Sequence, residues 1–96
     1  MGKAKVYFTR EITPQAMVRM YEAMGVDLPG KVAVKLHSGE VGNQNFLRPD
    51  FMKPAVERVK GTIVECNTAY EGARNTTEAH KNTMKLHGWT DRKSVV

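Results

Sequence analysis

The chain has 96 residues, 41% of them hydrophobic and 26% charged, and its 15 Lys and Arg against 10 Asp and Glu give a formal net charge of +5. This length allows one domain or part of one, and the composition is too apolar for a disordered tail. The single cysteine excludes an internal disulfide framework, and no basic run exceeds two residues, which argues against a dedicated nucleic-acid surface.

Residues 4–9 (AKVYFT) are predicted to form the first strand, because Val6, Tyr7 and Phe8 make the continuous apolar run of a strand covered on both faces. A helix should follow, with Thr13 as its cap and Pro14 at its first position, where the missing N–H costs nothing. Gly25 should end it. Four residues of this helix fall on one face, which predicts core packing: Met17, Met20, Tyr21 and Met24.

Residues 31–36 (KVAVKL) are predicted to form the second strand, followed by the polar loop 37–45 (HSGEVGNQN). The second helix should begin near Pro49 or Asp50, with Pro54 as a source of bending, and Gly61 should close it. Its expected buried stripe is Met52, Ala55, Val56 and Val59.

Residues 62–66 (TIVEC) are predicted to form the third strand, and a second polar loop, 67–75 (NTAYEGARN), follows it. Asn75 and Glu78 have the spacing of a capping box, which should open a third helix that runs to about His87. Gly88 suits the position just past its end. The remaining residues, 90–96, are too few for another β-α unit.

The order β-α-β-α-β-α predicts an α/β fold with a small, mostly parallel sheet and right-handed crossovers. Residues 1–96 would be a single domain or the N-terminal fragment of a larger one. Three strands make a thin sheet with two edges to protect. We therefore expect an incomplete domain, completed by a missing C-terminal domain or by another copy of the chain.

Both polar loops should emerge at the carboxyl edge of the sheet, where ligands bind in open parallel sheets. Arg74, together with the free amides at two helix N-termini, favours a small anionic ligand. The alternative is that Gly and Asn are simply the residues of which turns are made. The candidate ligand-binding residues are His37, Ser38, Gly39, Glu40, Gly42, Asn43, Asn67, Thr68, Tyr70, Gly72 and Arg74, with Asn45 beside them.

Known nucleotide motifs are absent, since neither GxxxxGK[ST] nor GxGxxG occurs. We predict no metal site, because His80 and His87 lie seven residues apart on one helix face, too far to chelate one ion. A metal-dependent enzyme fragment using His37, Glu40 and Cys66 is the weakest alternative. Whether the chain is an enzyme stays open, because no Ser/His/Asp arrangement follows from the spacing.

The N-terminal residues hold no apolar stretch of the length that a signal peptide requires, and no segment is long and apolar enough to span a membrane. We therefore expect a cytoplasmic protein with no membrane partner.

Two segments, KVAVKLHSGEVGNQNFLRPDFMKP and GTIVECNTAYEGARNTTEAHKNTMKLHGW, together with the opening AKVYFTREIT, resemble the family called domain of unknown function 362. Its members are often labelled uncharacterised iron–sulfur-centre proteins. The resemblance covers nearly all of residues 3–89 and implies that the chain corresponds to the N-terminal part of longer proteins. The cluster belongs to members with a CxxCxxCxxxC segment, which is missing here, so we expect no cofactor in this chain.

We therefore expect an uncharacterised N-terminal part of a redox-associated or small-molecule-binding protein, with its site between the two loops. The alternative is a non-catalytic assembly element that pairs through an exposed sheet edge.

Overall fold

A computed structural model describes residues 2–89 and the backbone of a two-residue strand at 94–95. Within these residues helices and strands alternate along the chain, and the strands form one parallel sheet. The α/β class with a small parallel sheet is therefore confirmed. The elements are α1 (Pro14–Met24), β1 (Val32–Lys35), α2 (Pro49–Arg58), β2 (Gly61–Val64), α3 (Thr77–Leu86) and β3 (Ser94–Val95).

The sheet has the order β1-β2-β3, with β2 in the centre. β1 and β2 run parallel in a register that pairs Val32 with Gly61 and Lys35 with Val64. The carboxyl ends of both strands therefore reach the same edge of the sheet, as the sequence predicts.

Gly61 begins β2 and does not close α2, so that expectation was wrong. α2 ends at Arg58, and Lys60 makes the turn with a positive φ of 53°. A Cβ at Gly61 would lie 2.6 Å from Val34 Cγ2, so glycine is required here by the close approach of β1.

One face of the sheet is covered and the other is open. Along β1, Val32 and Val34 are half-buried and Leu36, just past the strand, is buried, whereas Ala33 and Lys35 between them are exposed. The covered face meets α2 and α3 in a core of Leu36, Val56, Ile63, Met84 and Trp89. The continuous cover on both faces that a buried parallel sheet usually has is thus absent from the described residues.

Residues 4–9 do not form a strand, which corrects the first predicted element. The whole of 2–12 is exposed, with Val6 88% and Phe8 80% accessible. A strand exists only through pairing, and no strand of the described chain is paired with the second edge of β1. The prediction of a strand over residues 4–9 was therefore wrong, because these residues pair with no strand of the described chain.

α1 begins and ends as predicted. Ala16 N donates to the side chain of Thr13 at 3.1 Å, Pro14 opens the helix, and Gly25 closes it with φ 65°. The predicted methionine stripe, however, is only partly covered, because Met17 and Met24 at its two ends are exposed. α1 packs on α2 and leaves the ends of its own apolar face in solvent.

α2 begins at Pro49 and keeps Pro54 inside the helix, and of its predicted stripe only Val56 is fully buried. α3 is capped one residue later than predicted, since Ala79 N donates to Thr76 Oγ1 at 3.1 Å and Asn75 lies outside the cap. Gly88 follows the helix as expected, with φ 88°.

β3 lies in the terminal segment 90–96, for which no β-α unit was predicted. Ser94 and Val95 pair in parallel with Ile63 and Val64, while residues 90–93 and 96 lie outside the described residues. In the described part of the chain no helix is both long and apolar enough to cross a membrane.

Candidate functional site

A buried carboxylate, Glu65, joins the ends of β1 and β2. It continues the inward alternation of Gly61 and Ile63, so its side chain points to the covered face and is only 2% exposed. The backbone N–H of Ser38 donates to its Oε2 at 3.1 Å, and the Ser38 hydroxyl donates to the same oxygen. Glu65 therefore ties the first loop to the strand that leads into the second.

α3 delivers the third partner of this carboxylate. His80 is fully buried, with Nε2 at 2.8 Å from Glu65 Oε2 and Nδ1 at 3.1 Å from Asn67 Oδ1. The two ring nitrogens thus face two oxygen atoms, Nε2 that of the carboxylate and Nδ1 that of the Asn67 amide. Ser38 is not activated by this histidine, because Glu65 lies between them; the arrangement is a clamp and not a nucleophilic triad.

Two cationic side chains face the other oxygen of Glu65. Arg74 Nη1 lies 3.5 Å and Lys35 Nζ 3.6 Å from Oε1. Burial pushes the pKa of Glu65 upward, but the hydrogen bonds from Ser38 and His80 outweigh it and hold that pKa below its ordinary value. The carboxylate therefore stays charged in a buried position.

Arg74 connects the two predicted loops directly. Its Nε donates to Glu40 Oε1 at 2.9 Å, and its Nη2 also bonds that carboxylate. Tyr70 adds a hydroxyl that donates to Glu40 Oε1 at 3.0 Å. The hydrogen bond from Arg74 is the main reason that the pKa of Glu40 is lowered, and Glu40 in turn raises the pKa of Arg74.

A pocket of about 290 Å³ opens beside this cluster, within the first loop. It is lined by His37, Gly39, Asn43, Asn45, Phe46 and Leu47. None of these residues carries a carboxylate. The pocket therefore presents amide, imidazole and aromatic groups without a fixed negative charge.

The floor of the pocket is held by packing that only glycine allows at position 39. Phe46 stacks on the His87 ring at 3.8 Å between centroids, and His87 Nδ1 lies 2.9 Å from the Ser38 carbonyl oxygen. A Cβ added at Gly39 would lie 2.6 Å from His87 Nδ1 and 2.6 Å from Phe46 Cβ. The first loop is thereby anchored to the end of α3.

Of the predicted site residues, Ser38, Glu40, Tyr70 and Arg74 come together in the polar cluster, with Asn67 joined to it through His80. His37, Gly39 and Asn43 line the pocket. The other three shape the loops: Gly42 occupies an exposed turn, Thr68 N donates to Arg74 O at 2.8 Å, and Gly72 is exposed.

The sequence prediction does not include Glu65, and it weighs His80 only as a metal ligand, which its spacing from His87 argues against. The signal for Glu65 is a charged residue just past β2 that stays in phase with the buried positions Gly61 and Ile63. The metal alternative gains no support from geometry, since the described residues contain no group of three His, Cys, Asp or Glu side chains that could hold an ion. Glu40 is paired with Arg74, and Cys66 is exposed.

A scan against protein-family models finds no match to this chain. Searches of curated proteins and of solved structures find no match either. The resemblance to the domain of unknown function 362 family therefore stays a prediction that rests on the residues quoted for it.

Proposed function

We propose that this chain binds a small anionic ligand, a carboxylate or phosphate, in the pocket of the first loop. The observation that carries the proposal is the set of hydrogen-bond donors on the pocket wall with no carboxylate among them. The sequence predicts a site between the two loops, and the proposal places it within the first loop, beside the polar residues that join the loops.

His37 supplies a donor of defined orientation. Gly39 N donates to His37 Nδ1 at 3.0 Å, which leaves Nε2 as the ring nitrogen able to donate to a ligand. Asn43 Oδ1 accepts from Asn45 N at 2.8 Å, which leaves the Asn43 amide group to donate. A carboxylate or phosphate oxygen matches such donors.

Positive charge lies close to these donors. The Arg48 guanidinium stacks over the Phe46 ring with its carbon 3.9 Å from the centroid, and Phe46 is itself a pocket residue. Arg74, by contrast, is buried and already paired with Glu40 and Glu65, so its role in the proposal is to brace the two loops and not to contact the ligand.

The test uses a ¹⁵N-labelled chain titrated with inorganic phosphate and, separately, with succinate, while amide shifts are followed. Shifts should concentrate on residues 37–47. Asn45→Asp places a carboxylate in the pocket and should weaken binding about tenfold or more, a change of about 1.4 kcal/mol per factor of ten. The matched control is Asn82→Asp, which introduces the same charge on the exposed side of α3.

Equal weakening by both substitutions would show that only net charge matters, and the absence of localised shifts with either anion would remove the proposal. A response to succinate alone would assign the ligand to the carboxylates. A response to phosphate alone would assign it to the phosphates.

The wider context is proposed on the resemblance alone. In that context the chain is the N-terminal ligand-binding part of a longer redox-associated protein in the cytoplasm, and any iron–sulfur cluster would belong to other segments. Neither nucleic acid nor a membrane is a partner in this proposal.

A further inference from the structure

An apolar groove runs along the unpaired edge of β1. The groove measures about 340 Å³ and touches all four residues of the strand, from Val32 to Lys35. Successive strand residues point to opposite faces, so a groove that touches all four must lie along the edge. The opposite edge of β1 is occupied by β2. The groove walls are completed by Met17, Tyr21, Leu28, Ala55, Val56 and Val59.

The exposed N-terminal segment has the pattern of a strand that fits this edge. We call residues 4–9 the arm. Ala4, Val6 and Phe8 alternate with Lys5, Tyr7 and Thr9, so one face of the arm would be apolar and the other would carry the Tyr7 ring between two polar residues. The sheet has the same asymmetry, with one covered face and one open face. If the arm paired with β1 with its apolar side toward the helices, that side would continue the covered face of the sheet.

The arm is exposed to solvent along its whole length, with Val6 88% and Phe8 80% accessible. At the base of the arm, Glu11 N donates to Thr9 Oγ1 at 3.0 Å, and the Glu11 carboxylate pairs with Arg19 of α1. These contacts orient the base of the arm on α1, outside the groove.

We infer that the groove along β1 receives the arm of a second copy of this chain. Exchange is reciprocal, so each copy gives one arm and accepts one, and the two-fold interface satisfies both free edges at once. The arm forms backbone hydrogen bonds to β1, while Val6 and Phe8 enter the apolar groove. This pairing realises the strand that residues 4–9 favour locally, and it is independent of the ligand pocket.

The experiment measures the mass of the full chain by light scattering over a wide range of concentrations, with reductant present because Cys66 is exposed. Twice the 10.8 kDa of one chain is expected at high concentration. Phe8→Ser should raise the concentration needed for dimer by about tenfold or more, since burial of a Phe side chain contributes about 1.5–3 kcal/mol. The control is Ile12→Ser, an apolar residue that is 84% exposed but lies outside the arm, and it should leave the dimer unchanged.

Amide hydrogen exchange separates the remaining outcomes. In the dimer the edge amides of β1 should be protected, and Phe8→Ser at the same concentration should expose them. A monomer with protected β1 amides would mean that the arm docks on its own chain, which overturns the exchange. A monomer with open β1 amides overturns it as well, and so does a dimer that responds equally to Phe8→Ser and Ile12→Ser.

Discussion

The carboxyl end of the sheet buries polar side chains, whereas the N-terminal arm leaves apolar side chains in solvent. At the carboxyl end the polar side chains of Ser38 and His80 are fully buried, and each has a hydrogen-bond partner within the chain. In the arm the apolar side chains of Val6 and Phe8 are almost fully exposed. In these two regions burial therefore follows the availability of partners and not hydropathy.

The largest effect should come from removing the charge at the centre of the carboxyl-end cluster. Glu65→Gln leaves Arg74, Lys35 and His80 without their shared carboxylate. Removing one partner of a buried ion pair costs about 3 to 5 kcal/mol, and we expect a loss of that order in the free energy of unfolding. Urea unfolding measures it.

The matched control is Glu71→Gln, an exposed glutamate in the second loop, which should change the free energy of unfolding by less than about 0.5 kcal/mol. If both variants lose similar free energies of unfolding, the buried carboxylate of Glu65 contributes no more to stability than an exposed one.

The same carboxylate predicts the pH dependence of stability. The folded-state pKa values of Glu65 and Glu40 lie below their ordinary value of 4.5, so the unfolded chain binds more protons in acid. Their contribution is fully present above the unfolded pKa and is lost as the pH falls through the folded pKa. Unfolding free energies measured from neutral pH into acid should therefore fall, and Glu65→Gln should flatten the curve. A variant curve parallel to that of the native chain would contradict the assignment.

Gly39 tests the packing that anchors the first loop. Gly39→Ala adds a Cβ that meets His87 and Phe46 at 2.6 Å, on a backbone with φ 106°. Strain and overpacking together should cost about 1 to 3 kcal/mol or more. Gly42→Ala is the control, because its φ of 85° imposes backbone strain with nothing within 4 Å of the new Cβ. Thermal unfolding of both variants separates the overlap from the strain, and equal losses would show that the close contact adds nothing.

The sequence predicts the carboxyl end of the sheet better than the free edge. Alternation and turn residues are local signals. They predict two parallel strands, β1 and β2, whose carboxyl ends and following loops share one edge of the sheet, and the parallel register confirms this. Local signals do not predict the pairing of Glu65 with His80, because it joins the residue after β2 to a helix residue 15 positions later. His80 appears in the sequence as an ordinary polar residue on a helix whose inward face becomes known only once the sheet is in place.

The prediction of a strand in the arm was wrong because a local pattern does not supply a pairing partner. Its local pattern favours a strand strongly, but whether a strand forms depends on an edge being available and occupied. No pattern within residues 4–9 specifies that partner. The same limit applies to the cap of α3, where Asn75 and Thr76 are both good capping residues and only the backbone geometry selects Thr76.

Helix caps allow a direct comparison of the two regions with one chemical change. Thr13 caps α1 near the arm, and Thr76 caps α3 at the cluster, each with a hydrogen bond of 3.1 Å. Thr13→Ala and Thr76→Ala should each cost about 1 kcal/mol in urea unfolding. Asn75→Ala should cost less than Thr76→Ala, and a larger loss at Asn75 would restore the cap predicted from the sequence.

Lys35 should give the smallest effect, although it contacts the most buried carboxylate of the cluster. Its side chain is 56% exposed, and its Nζ lies 3.6 Å from Glu65 Oε1, so water screens the pair on one side. Such an ion pair contributes about 0 to 1 kcal/mol, and Lys35→Gln should stay within that range in urea unfolding. Lys53→Gln, on the exposed side of α2, removes the same charge without a contact to Glu65 and controls for net charge. A loss at Lys35 that approaches the loss at Glu65 would mean that the cluster depends on its solvent-facing cation, and that Arg74 and His80 do not hold the carboxylate by themselves.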